Sequence, residues 1–399
     1  MGSHPPDSAR WRRLVALPTP ATALDRADTL VGLSATVSAR IRRAIEERGP
    51  ISFGEFMDLA LYGPGGFYDR PPVGRRGHFL TSPHVHPVFA ELLLRALLDL
   101  RDRLGRPEPL PIVEVGAGDG TLAANLLRLL EERKGPAVDY AVVERSPGAR
   151  AALADLPVRV IERLGDAEHL DAMVVLANEL LDNLPFRRVR GTRDGVVEIR
   201  IDADGDGFVE VDVPCDTKVA KLAAEQGPLA PGQEVIVPIG AMGFVDELAT
   251  TIRRGYALLI DYGSARGPSG DVHGYREHRV LEDVLRDPGS ADITAGVDFG
   301  AIIRRAERGG LRSLGLASQR DALLALGFAE WNAVQLDRQG SLLAQGEGGP
   351  ATRVWEGRGR ASLLVDPGGL GRQKWLLLAT DRLPAPAWIG PRESFDGFD

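Results

Sequence analysis

The clearest chemical signal in the sequence is a glycine-rich turn between an apolar run and a helical pattern. Residues 112–121 read Ile-Val-Glu-Val-Gly-Ala-Gly-Asp-Gly-Thr. Glycine lets the backbone approach a ligand closely, and the free N–H groups at the start of a helix attract a negatively charged group. The dinucleotide pattern Gly-x-Gly-x-x-Gly would need a glycine where Thr121 stands, so the turn disfavours NAD.

An acidic residue follows at the end of the next predicted strand. Glu144 comes directly after Val142 and Val143 and should lie beside the glycine turn, where its carboxylate would bind ribose hydroxyls. The turn and the acid together suit S-adenosylmethionine, with its amino-acid end over residues 116–120 and its ribose on Glu144. A purely structural turn between a strand and a helix is the alternative.

Three polar side chains, Asn178, Glu179 and Asp182, follow the fourth predicted strand. Open parallel sheets bind ligands beyond the carboxyl ends of their strands, so these side chains should enter the same crevice. Carboxylates there would orient a guanidinium group, which stays protonated in proteins. Glu179 and Asp182, with Asp261 or Asp298, are the candidates for such a clamp. A loop that only caps the next helix is the alternative.

Histidine would serve a different methyl acceptor. A small-molecule hydroxyl or amine needs a base that titrates near neutrality, and the candidates are His78, His84, His86 and His278. The pair His84-x-His86 together with His78 could also bind a metal. Most such pairs are polar loop residues, so we predict no metal site.

Strands and helices alternate in the part of the chain that carries these side chains. Predicted strands cover residues 112–115, 140–143, 158–161, 173–177 and 257–260, and helices lie between them, one at 121–133. The pattern predicts a parallel α/β sheet. The interval 185–255 is too long for one crossover, and residues 196–201 and 208–213 alternate like a hairpin. We therefore predict an inserted β element followed by a helix.

The run Asp202-x-Asp204-x-Asp206 resembles the start of a calcium-binding loop of the EF-hand type. The twelfth position of such a loop would be Val213, which cannot bind calcium through its side chain, so we interpret the run as a hairpin turn.

Six segments follow from these patterns. They are a loose N-terminal tail (1–30), a helical and glycine-rich extension (31–110), the first part of the sheet domain (111–185), the inserted element (186–250), the second part of the sheet domain (251–384) and a loose C-terminal tail (385–399). Within the extension, the spacing predicts helices at 37–47 and 87–103. A third helix should begin at an N-cap Ser52, three residues before Glu55.

Composition excludes several classes of protein. Among 399 residues, 48 are basic and 56 are acidic, so the formal charge is −8 and a nucleic-acid binder is not expected. Cys215 is the single cysteine, which excludes internal disulfides and cysteine metal clusters and favours a reducing compartment. No apolar stretch approaches the roughly 18 residues of a membrane span, and the first 30 residues lack the apolar core of a signal peptide. We predict a cytoplasmic protein that does not enter the membrane.

The chain resembles the MidA-like methyltransferase family in the order of its motifs. The matching residues include Leu-Tyr-Gly-Pro-Gly-Gly-Phe-Tyr at 61–68, Phe-Leu-Thr-Ser-Pro at 79–83, Val-Glu-Val-Gly-Ala-Gly at 113–118, Val-Glu-Arg-Ser-Pro at 143–147 and Asn-Glu-Leu-Leu-Asp at 178–182. After the insertion come Ile-Asp-Tyr-Gly at 260–263, Gly-Tyr-Arg-Glu-His at 274–278 and Asp-Ile-Thr-Ala-Gly-Val-Asp-Phe at 292–299. The similarity spans residues 38–380 in the same order throughout.

The resemblance implies a Rossmann-like class I methyltransferase core with an N-terminal helical extension and an inserted β element, and S-adenosylmethionine as methyl donor. We expect the cofactor to contact Thr81, Ser82, Pro83, Glu114, Gly116, Gly118, Asp119, Glu144, Arg145, Asn178 and Glu179. Catalysis is expected to depend on Glu179, Asp182, His78, His84 and His278. Because mitochondrial members act as protein arginine methyltransferases in complex I assembly, the expected acceptor is a protein arginine or another nitrogen nucleophile.

Four positions depart from the family pattern. The family usually has Asp where His78 stands and Glu where His84 stands, and often has Arg at His273 and His at Gly296. These differences concern the acceptor more than the methyl donor. One alternative is therefore a small-molecule O- or N-methyltransferase with a histidine base. The other is a non-catalytic assembly factor that keeps the fold. The oligomeric state is open, a homodimer included.

Overall fold

The computed structural model describes residues 23–69, 81–167, 172–265, 272–276, 279–281 and 283–390, with side chains from residue 36 onward. Two of the candidate bases, His78 and His278, lie outside these ranges. The strands, in chain order, are β1 (Ile51–Ser52), β2 (Leu110–Val115), β3 (Val138–Val143), β4 (Arg159–Ile161), β5 (Met173–Asn178), β6 (Arg187–Thr192), β7 (Gly195–Asp204), β8 (Gly207–Pro214), β9 (Glu234–Val237), β10 (Gly255–Asp261), β11 (Gly263–Ser264), β12 (His273–Arg276), β13 (Arg279–Leu281), β14 (Asp292–Thr294), β15 (Val297–Asp298), β16 (Arg312–Ser318) and β17 (Lys374–Ala379). The helices are α1 (Ala23–Arg48), α2 (Phe53–Leu61), α3 (Ser82–Val85), α4 (Val88–Arg103), α5 (Thr121–Glu132), α6 (Pro147–Leu153), α7 (Thr217–Ala224), α8 (Ile239–Thr251), α9 (Phe299–Arg308), α10 (Gln319–Ala325), α11 (Phe328–Ala344) and α12 (Gly348–Ser362).

A seven-stranded sheet forms the centre of the molecule. Its order is β16-β17-β10-β5-β2-β3-β4. The strands β10, β5, β2, β3 and β4 are parallel, whereas β17 runs antiparallel to both β10 and β16. The five predicted strands are confirmed as β2, β3, β4, β5 and β10. β16 and β17, which the sequence pattern did not reveal, extend the sheet beyond β10.

Alternation along the strands places apolar residues on both faces of this sheet, because successive side chains of a strand point to opposite sides. In β2, Leu110 and Ile112 belong to a core that is shared with helices α4, α5 and α10. Val113 and Val115 belong to a second core that is shared with α8 and α9. Helices therefore cover both faces, and a ligand can approach the sheet only at the ends of its strands.

Helix α5 begins at the glycine turn, as predicted. Its N-cap, Gly120, has a φ of +77°, a left-handed conformation that favours glycine. The buried residues of the helix recur every three or four positions and are Leu122, Ala123, Leu126, Leu129 and Leu130. This apolar face anchors the helix to the core and so fixes the turn at the end of β2.

The inserted β element is a separate five-stranded sheet in the order β1-β7-β6-β9, with β8 paired to β7. The predicted hairpin is confirmed as β7 and β8, which meet at a turn where Asp204 pairs with Gly207. The predicted helix follows as α7. Helix α8 falls within the predicted insertion by number, but it packs on the central sheet through Phe244, Val245 and Leu248.

The segment before the sheet is helical, and α2 begins where predicted. The Ser52 Oγ accepts a hydrogen bond from Glu55 N at 3.2 Å and caps the helix. Two small sheets, β11 with β15 and β12 with β13 and β14, lie after β10. They are tied to the ends of β5 and β10 by hydrogen bonds from Ala295 N to Asp182 O at 3.3 Å and from Val297 N to Tyr262 O at 2.9 Å.

Parts of both predicted tails, residues 23–30 and 385–390, belong to the fold. Residues 23–30 are the first turns of α1 and not a loose tail, because weak helix formers such as Thr29 and Gly32 obscure the helical pattern there. At the other end, Trp388 and Ile389 are buried, and the Trp388 indole donates a hydrogen bond to Asp99 Oδ2 at 3.0 Å. Residues 385–390 therefore complete the core. Within the described ranges, no helix has the length and apolar character that crossing a bilayer requires.

Candidate functional site

A cavity of about 790 Å³ opens at the carboxyl ends of β2, β3, β5 and β10. Most of the predicted site residues line it, namely Thr81, Pro83, His84, Glu114, Gly116, Gly118, Asp119, Glu144, Arg145, Asn178, Glu179 and Asp182. Among the predicted site residues that the structure describes, Ser82 is the exception, because it is fully buried behind the lining. The fold thus brings residues from distant parts of the chain to one place.

The glycine turn forms one wall of this cavity. Gly116 and Gly118 have φ values of +75° and +57°. A Cβ atom on Gly116 would come within 2.9 Å of Leu180 Cδ1, whereas nothing lies within 4 Å of the position that a Cβ on Gly118 would take. Gly118 therefore keeps open a space in which a ligand can touch the backbone.

Glu144 supports the turn from the end of β3. Its Oε2 accepts a hydrogen bond from Gly118 N at 3.0 Å, and its Oε1 accepts one from Ser146 N at 2.8 Å. Burial raises the pKa of the Glu144 carboxyl, although these N–H groups act in the opposite direction. Each carboxylate oxygen retains a further acceptor position, so the group can also bind the two hydroxyls of a ribose.

Glu114 lies within β2, just before the turn. Its Oε2 accepts a hydrogen bond from the Tyr140 hydroxyl at 2.6 Å. Burial raises the pKa of Glu114 to about 7, while the bond from Tyr140 lowers it. Near neutral pH this carboxyl can be protonated, or it can be ionised and pair with a positively charged group of a neighbouring ligand.

Three side chains link the loop at 81–86 to the glycine turn. His84 Nε2 lies 2.9 Å from Asp119 Oδ2, and His84 Nδ1 lies 2.7 Å from Thr81 Oγ1. Asp119 Oδ1 also accepts a hydrogen bond from Thr121 N at 3.0 Å. Burial alone would raise the pKa of Asp119, but the bonds from His84 and Thr121 outweigh it and lower that pKa below its ordinary value. Both ring nitrogens of His84 are engaged, so the geometry makes it a strut between two walls and not a free base.

His86 does not join its neighbour in a metal site. Its Nδ1 accepts a hydrogen bond from Val88 N at 3.1 Å, and its ring lies 5.2 Å from the ring of Trp331. In the part of the chain that the structure describes, no three His, Cys, Asp or Glu side chains are grouped so that they could hold a metal ion.

Glu179 has a strained backbone. Its φ is +53°, a region that costs a residue other than glycine about 1–3 kcal/mol. The conformation is held by a hydrogen bond from Glu179 N to Ile260 O at 2.7 Å. The carboxylate lines the cavity, where its Oε1 accepts hydrogen bonds from Ser82 N at 3.1 Å and Asn178 Nδ2 at 3.2 Å. Burial raises the pKa of the Glu179 carboxyl. Strain that the fold maintains at a cavity wall indicates a functional position.

Two buried amides fix Ser82 from behind. The Ser82 Oγ donates to Gln373 Oε1 at 3.0 Å and accepts from Gln319 Nε2 at 3.1 Å. Gln319 Nε2 also donates to the carbonyl oxygen of Leu364 at 3.0 Å. Because Ser82 N in turn binds Glu179, these amides position the Glu179 carboxylate without lining the cavity themselves.

Three aspartates surround the ends of β5 and β10. Asp182 and Asp292 line the cavity, whereas Asp261 is fully buried beneath it. Asp261 accepts hydrogen bonds from the backbone N–H groups of Leu181 and Tyr262, both at 2.7 Å. The prediction that Asp261 belongs to the clamp is therefore wrong, because this carboxylate holds the loop after β5.

These acids raise one another's pKa values. Burial raises the pKa of Asp261 and of Asp292 to about 7. Burial and then the charges of Asp261, Asp292 and Glu179 raise the pKa of Asp182 well above its ordinary value. In the described part of the chain, no lysine or arginine pairs with these four carboxyls. Among the described residues, this side of the cavity is therefore acidic, and none of its four carboxyls is neutralised by an ion pair.

Asp298 does not belong to this acidic side either. It lies outside the lining, and its Oδ1 accepts a hydrogen bond from Ala301 N at 2.9 Å as the N-cap of α9. An Asp just before a run of helical residues is a common capping signal, and that signal explains this position. Asp292, six residues earlier, takes the place in the cavity that was predicted for Asp298.

Tyrosine rings complete the acidic side, and those that line it are Tyr62, Tyr68, Tyr262 and Tyr275. The rings of Tyr62 and Tyr68 are stacked with centroids 5.3 Å apart. The Tyr68 hydroxyl lies 2.9 Å from Asp292 Oδ1 and 3.0 Å from Asn183 Oδ1. Burial and the neighbouring Asp292 raise the pKa of Tyr68, so the phenol stays protonated. Arg145 packs over Tyr62, with its guanidinium carbon 4.5 Å from the ring centroid.

Sequence reasoning missed several lining residues. Tyr68 and Asp292 stand in motifs of the family resemblance, but they are 224 residues apart and no local pattern joins them. The end of β4 also reaches the cavity through Glu162, Arg163 and Leu164. That contact could have been predicted, because β4 was expected to end at residue 161 beside the strand that carries Glu144.

Residues 92–317 match the model of a family of S-adenosyl-L-methionine-dependent methyltransferases. Over 332 residues the chain is 30% identical to the mitochondrial protein arginine methyltransferase NDUFAF7 of Rattus norvegicus, a match that covers 74% of this chain and 75% of the relative. The chain belongs to the MidA-like methyltransferase family. The Homo sapiens protein of the same name is 28% identical over 331 residues, which cover 74% of each chain.

Solved structures agree with this membership. A protein from Burkholderia thailandensis bound to S-adenosyl-homocysteine is 29% identical, has a TM-score of 0.74 and covers 94% of this chain and 97% of its own. A native structure from the same organism is 28% identical with the same TM-score. The predicted class I fold, the methyltransferase activity and S-adenosylmethionine as cofactor are thereby confirmed.

The residues present fit this cofactor. Gly118 leaves open space beside its backbone, and the end of β3 supplies the Glu144 carboxylate. Asn178 Oδ1 is buried and has no hydrogen-bond partner within the described ranges. Such an orphaned acceptor beside the glycine turn is suited to a donor group of a bound ligand.

Proposed function

We propose that this methyltransferase transfers a methyl group to a guanidino nitrogen of an arginine in a protein. The observation that carries the proposal is the acidic side of the cavity, where Glu179, Asp182 and Asp292 adjoin tyrosine rings. Buried carboxyls without a counter-charge are unfavourable, and a cation would relieve them. A guanidinium is planar, always charged and able to stack on aromatic rings, so it meets each of these requirements. The rat relative is named a protein arginine methyltransferase, at 30% identity.

The chain's own residues would hold the methyl donor along the glycine turn. S-adenosylmethionine supplies, when bound, a methyl group on a positively charged sulfur. The backbone at 116–118 would receive its amino-acid end, Glu144 its ribose and the end of β4 its base. Asn178 Oδ1 would accept a hydrogen bond from the donor. The acidic side would then lie beyond Glu179, on the side from which the acceptor arrives.

The acceptor's charge would be handled by two kinds of carboxyl. Glu179, fixed by Ser82 N, would orient the guanidinium and localise its positive charge away from the attacking nitrogen. That nitrogen must lose a proton when it gains a methyl group. Asp182 Oδ1 is buried and has no hydrogen-bond partner within the described ranges, and we assign it to accept this proton. The raised pKa of Asp182 suits such a transfer.

The contacts of His84 favour this assignment over His84 as the base. His84 has both ring nitrogens engaged, by Asp119 and by Thr81.

A cytoplasmic location is proposed on the single cysteine alone, whereas the relatives reported above are named as mitochondrial.

Peptides that differ in one side chain test the proposal. Each carries an arginine, a lysine or citrulline, which has the shape of arginine without its charge, and each is incubated with labelled methyl donor. The enzyme variants are the wild type, Glu179→Gln and, as a matched control, Glu132→Gln at an exposed position of helix α5. We expect label in the arginine peptide only, and a loss of at least about 100-fold in turnover for Glu179→Gln.

Binding of S-adenosyl-homocysteine is measured alongside. Glu179→Gln should change its dissociation constant far less than it changes turnover, and Glu132→Gln should change neither. Methylation of the citrulline peptide, or full turnover by Glu179→Gln, would contradict the proposal.

A further inference from the structure

Helices α11 and α12 form an antiparallel hairpin with an apolar outer surface. The two helices are joined by hydrogen bonds from the Arg358 guanidinium to Asn332 at 3.0 Å and to Gln339 at 2.9 Å. In the described part of the chain, nine large apolar side chains are exposed, and five of them lie on or directly after this hairpin: Val334, Leu336, Leu343, Trp355 and Leu363. Trp355 is 61% exposed and Leu343 is 57% exposed. Apolar groups clustered in this way mark an interaction surface.

The exposed uncharged residues are spaced as in the seam of a coiled coil. On α11 the exposed row consists of Ala329, Ala333, Leu336, Gly340 and Leu343. Successive members are four, three, four and three residues apart. On α12 an exposed row at the same intervals comprises Gly348, Thr352, Trp355, Gly359 and Ser362. An average spacing of about 3.5 residues keeps a row on one side of a helix and is the spacing by which helices pair. We call these two rows the hairpin stripes.

Opposite charges flank the two stripes. Glu330 and Asp337 stand seven residues apart on α11, and Arg353 and Arg360 stand seven residues apart on α12. All four side chains are exposed, and none of them forms an ion pair within the described ranges. A two-fold axis can bring α11 of one copy against α12 of another, so that the acids of one chain face the arginines of the other.

The size of the surface is sufficient for a dimer. Helix α11 has 17 residues, so it is about 25 Å long, and two helices side by side are about 20 Å wide. One face of the hairpin therefore offers about 500 Å² per chain, or about 1,000 Å² in total, the lower limit for a specific interface. Gly340 and Gly359 have nothing within 4 Å of the position of a Cβ, which leaves room for a large side chain of the other copy.

We propose that two copies of this chain associate through the hairpin stripes to form a four-helix arrangement. A second copy fits better than an unrelated protein because the surface is complementary to itself, with acids beside one stripe and arginines beside the other. The stripes do not line the cavity, but the hairpin touches the loop of Thr81 and His84 through the contact of His86 with Trp331. Association would therefore steady that loop from outside and leave the cavity open.

Sedimentation velocity of the full chain, over a range of concentrations around the micromolar level, tests the proposal. The wild type should pass from the mass of one chain to that of two. Leu336→Glu and Trp355→Glu should each raise the dissociation constant at least about tenfold, because a charge enters the buried centre of the interface. Val334→Glu is the matched control. Val334 lies on the same helix and is 62% exposed, but it stands outside the stripe, so its substitution should leave the dimer intact.

Charge reversal supplies a second test that leaves the apolar surface untouched. The double variant Glu330→Arg with Asp337→Arg should weaken the dimer, and addition of Arg353→Glu with Arg360→Glu should restore it. Circular dichroism confirms that each variant is folded. A wild type that stays monomeric, a dimer that survives Leu336→Glu and Trp355→Glu, or equal effects of Leu336→Glu and Val334→Glu would overturn the proposal.

Discussion

Replacement of Asp292 by Asn should remove a pH dependence of stability that the wild-type chain carries. Asp292 is buried, and burial raises its pKa to about 7, from an ordinary value near 4. Because the folded pKa lies above the unfolded value, the folded chain holds an extra proton between about pH 4 and pH 7, and stability is lost as the pH rises through this range. Asn keeps an oxygen that accepts from Tyr68 and Asn183 but cannot ionise.

The magnitude follows from the size of the pKa shift. Between about pH 5 and pH 7 the wild type should lose about 2 kcal/mol of unfolding free energy through this group, because the slope of about 1.4 kcal/mol per pH unit flattens as the pH reaches the folded pKa. A chain of 399 residues unfolds with an entropy of about 0.8 kcal/mol/K, so this loss corresponds to about 3 °C in Tm.

Scanning calorimetry at several pH values measures the effect. As the pH rises from about 5 to about 7, the Tm of the wild type should fall relative to that of Asp292→Asn by this amount. Asp287→Asn, an exposed carboxyl on the same segment, should follow the wild type. Parallel Tm profiles for the wild type and Asp292→Asn would refute the argument that burial governs the pKa of this group.

Three further substitutions test the rest of the cavity. Gly118→Ala should raise the dissociation constant for S-adenosyl-homocysteine at least about tenfold in titration calorimetry, because a methyl group would fill the open space at a residue with a φ of +57°. Gly243→Ala, at an exposed position of α8, should leave that dissociation constant unchanged. Glu144→Gln should weaken S-adenosyl-homocysteine binding by about ten- to a hundredfold, because an amide has one acceptor oxygen and cannot accept from both Gly118 N and Ser146 N. An unchanged affinity would contradict the role of Glu144 in supporting the glycine turn. Gln319→Leu should lower Tm and kcat together with little change in donor affinity, and a lower Tm at unchanged kcat would restrict Gln319 to a structural role.

The donor half of the site was predictable because its signals are local. The glycine turn, the helix after it and Glu144 lie in two consecutive strand units, and the parallel arrangement of those strands brings them together. The same locality made five sheet strands and the inserted hairpin predictable. β17 was missed because its residues 374–379 form one short apolar run, which periodicity alone cannot assign to a strand or a helix.

The acceptor half depends on contacts that no local pattern contains. Tyr68 and Asp292 meet only in the fold. Residue type proposes Asp298 for the clamp and gives no reason to choose Asp292, whereas in the fold Asp298 caps a helix. His84 was a reasonable base by residue type alone. Its neighbours Asp119 and Thr81, which occupy both ring nitrogens, come together only when the loop at 81–86 packs on the glycine turn.

The central claim is that the acidic side of the cavity receives the guanidinium of a protein arginine. Mass spectrometry of a cell extract from the protein's own organism, incubated with the full chain and isotopically labelled methyl donor, tests it most directly. The account predicts label on guanidino nitrogens of arginine in the protein fraction, lost with Glu179→Gln and retained with Glu132→Gln. Label that appears in small molecules or on other side chains, or that is unchanged with Glu179→Gln, would contradict it.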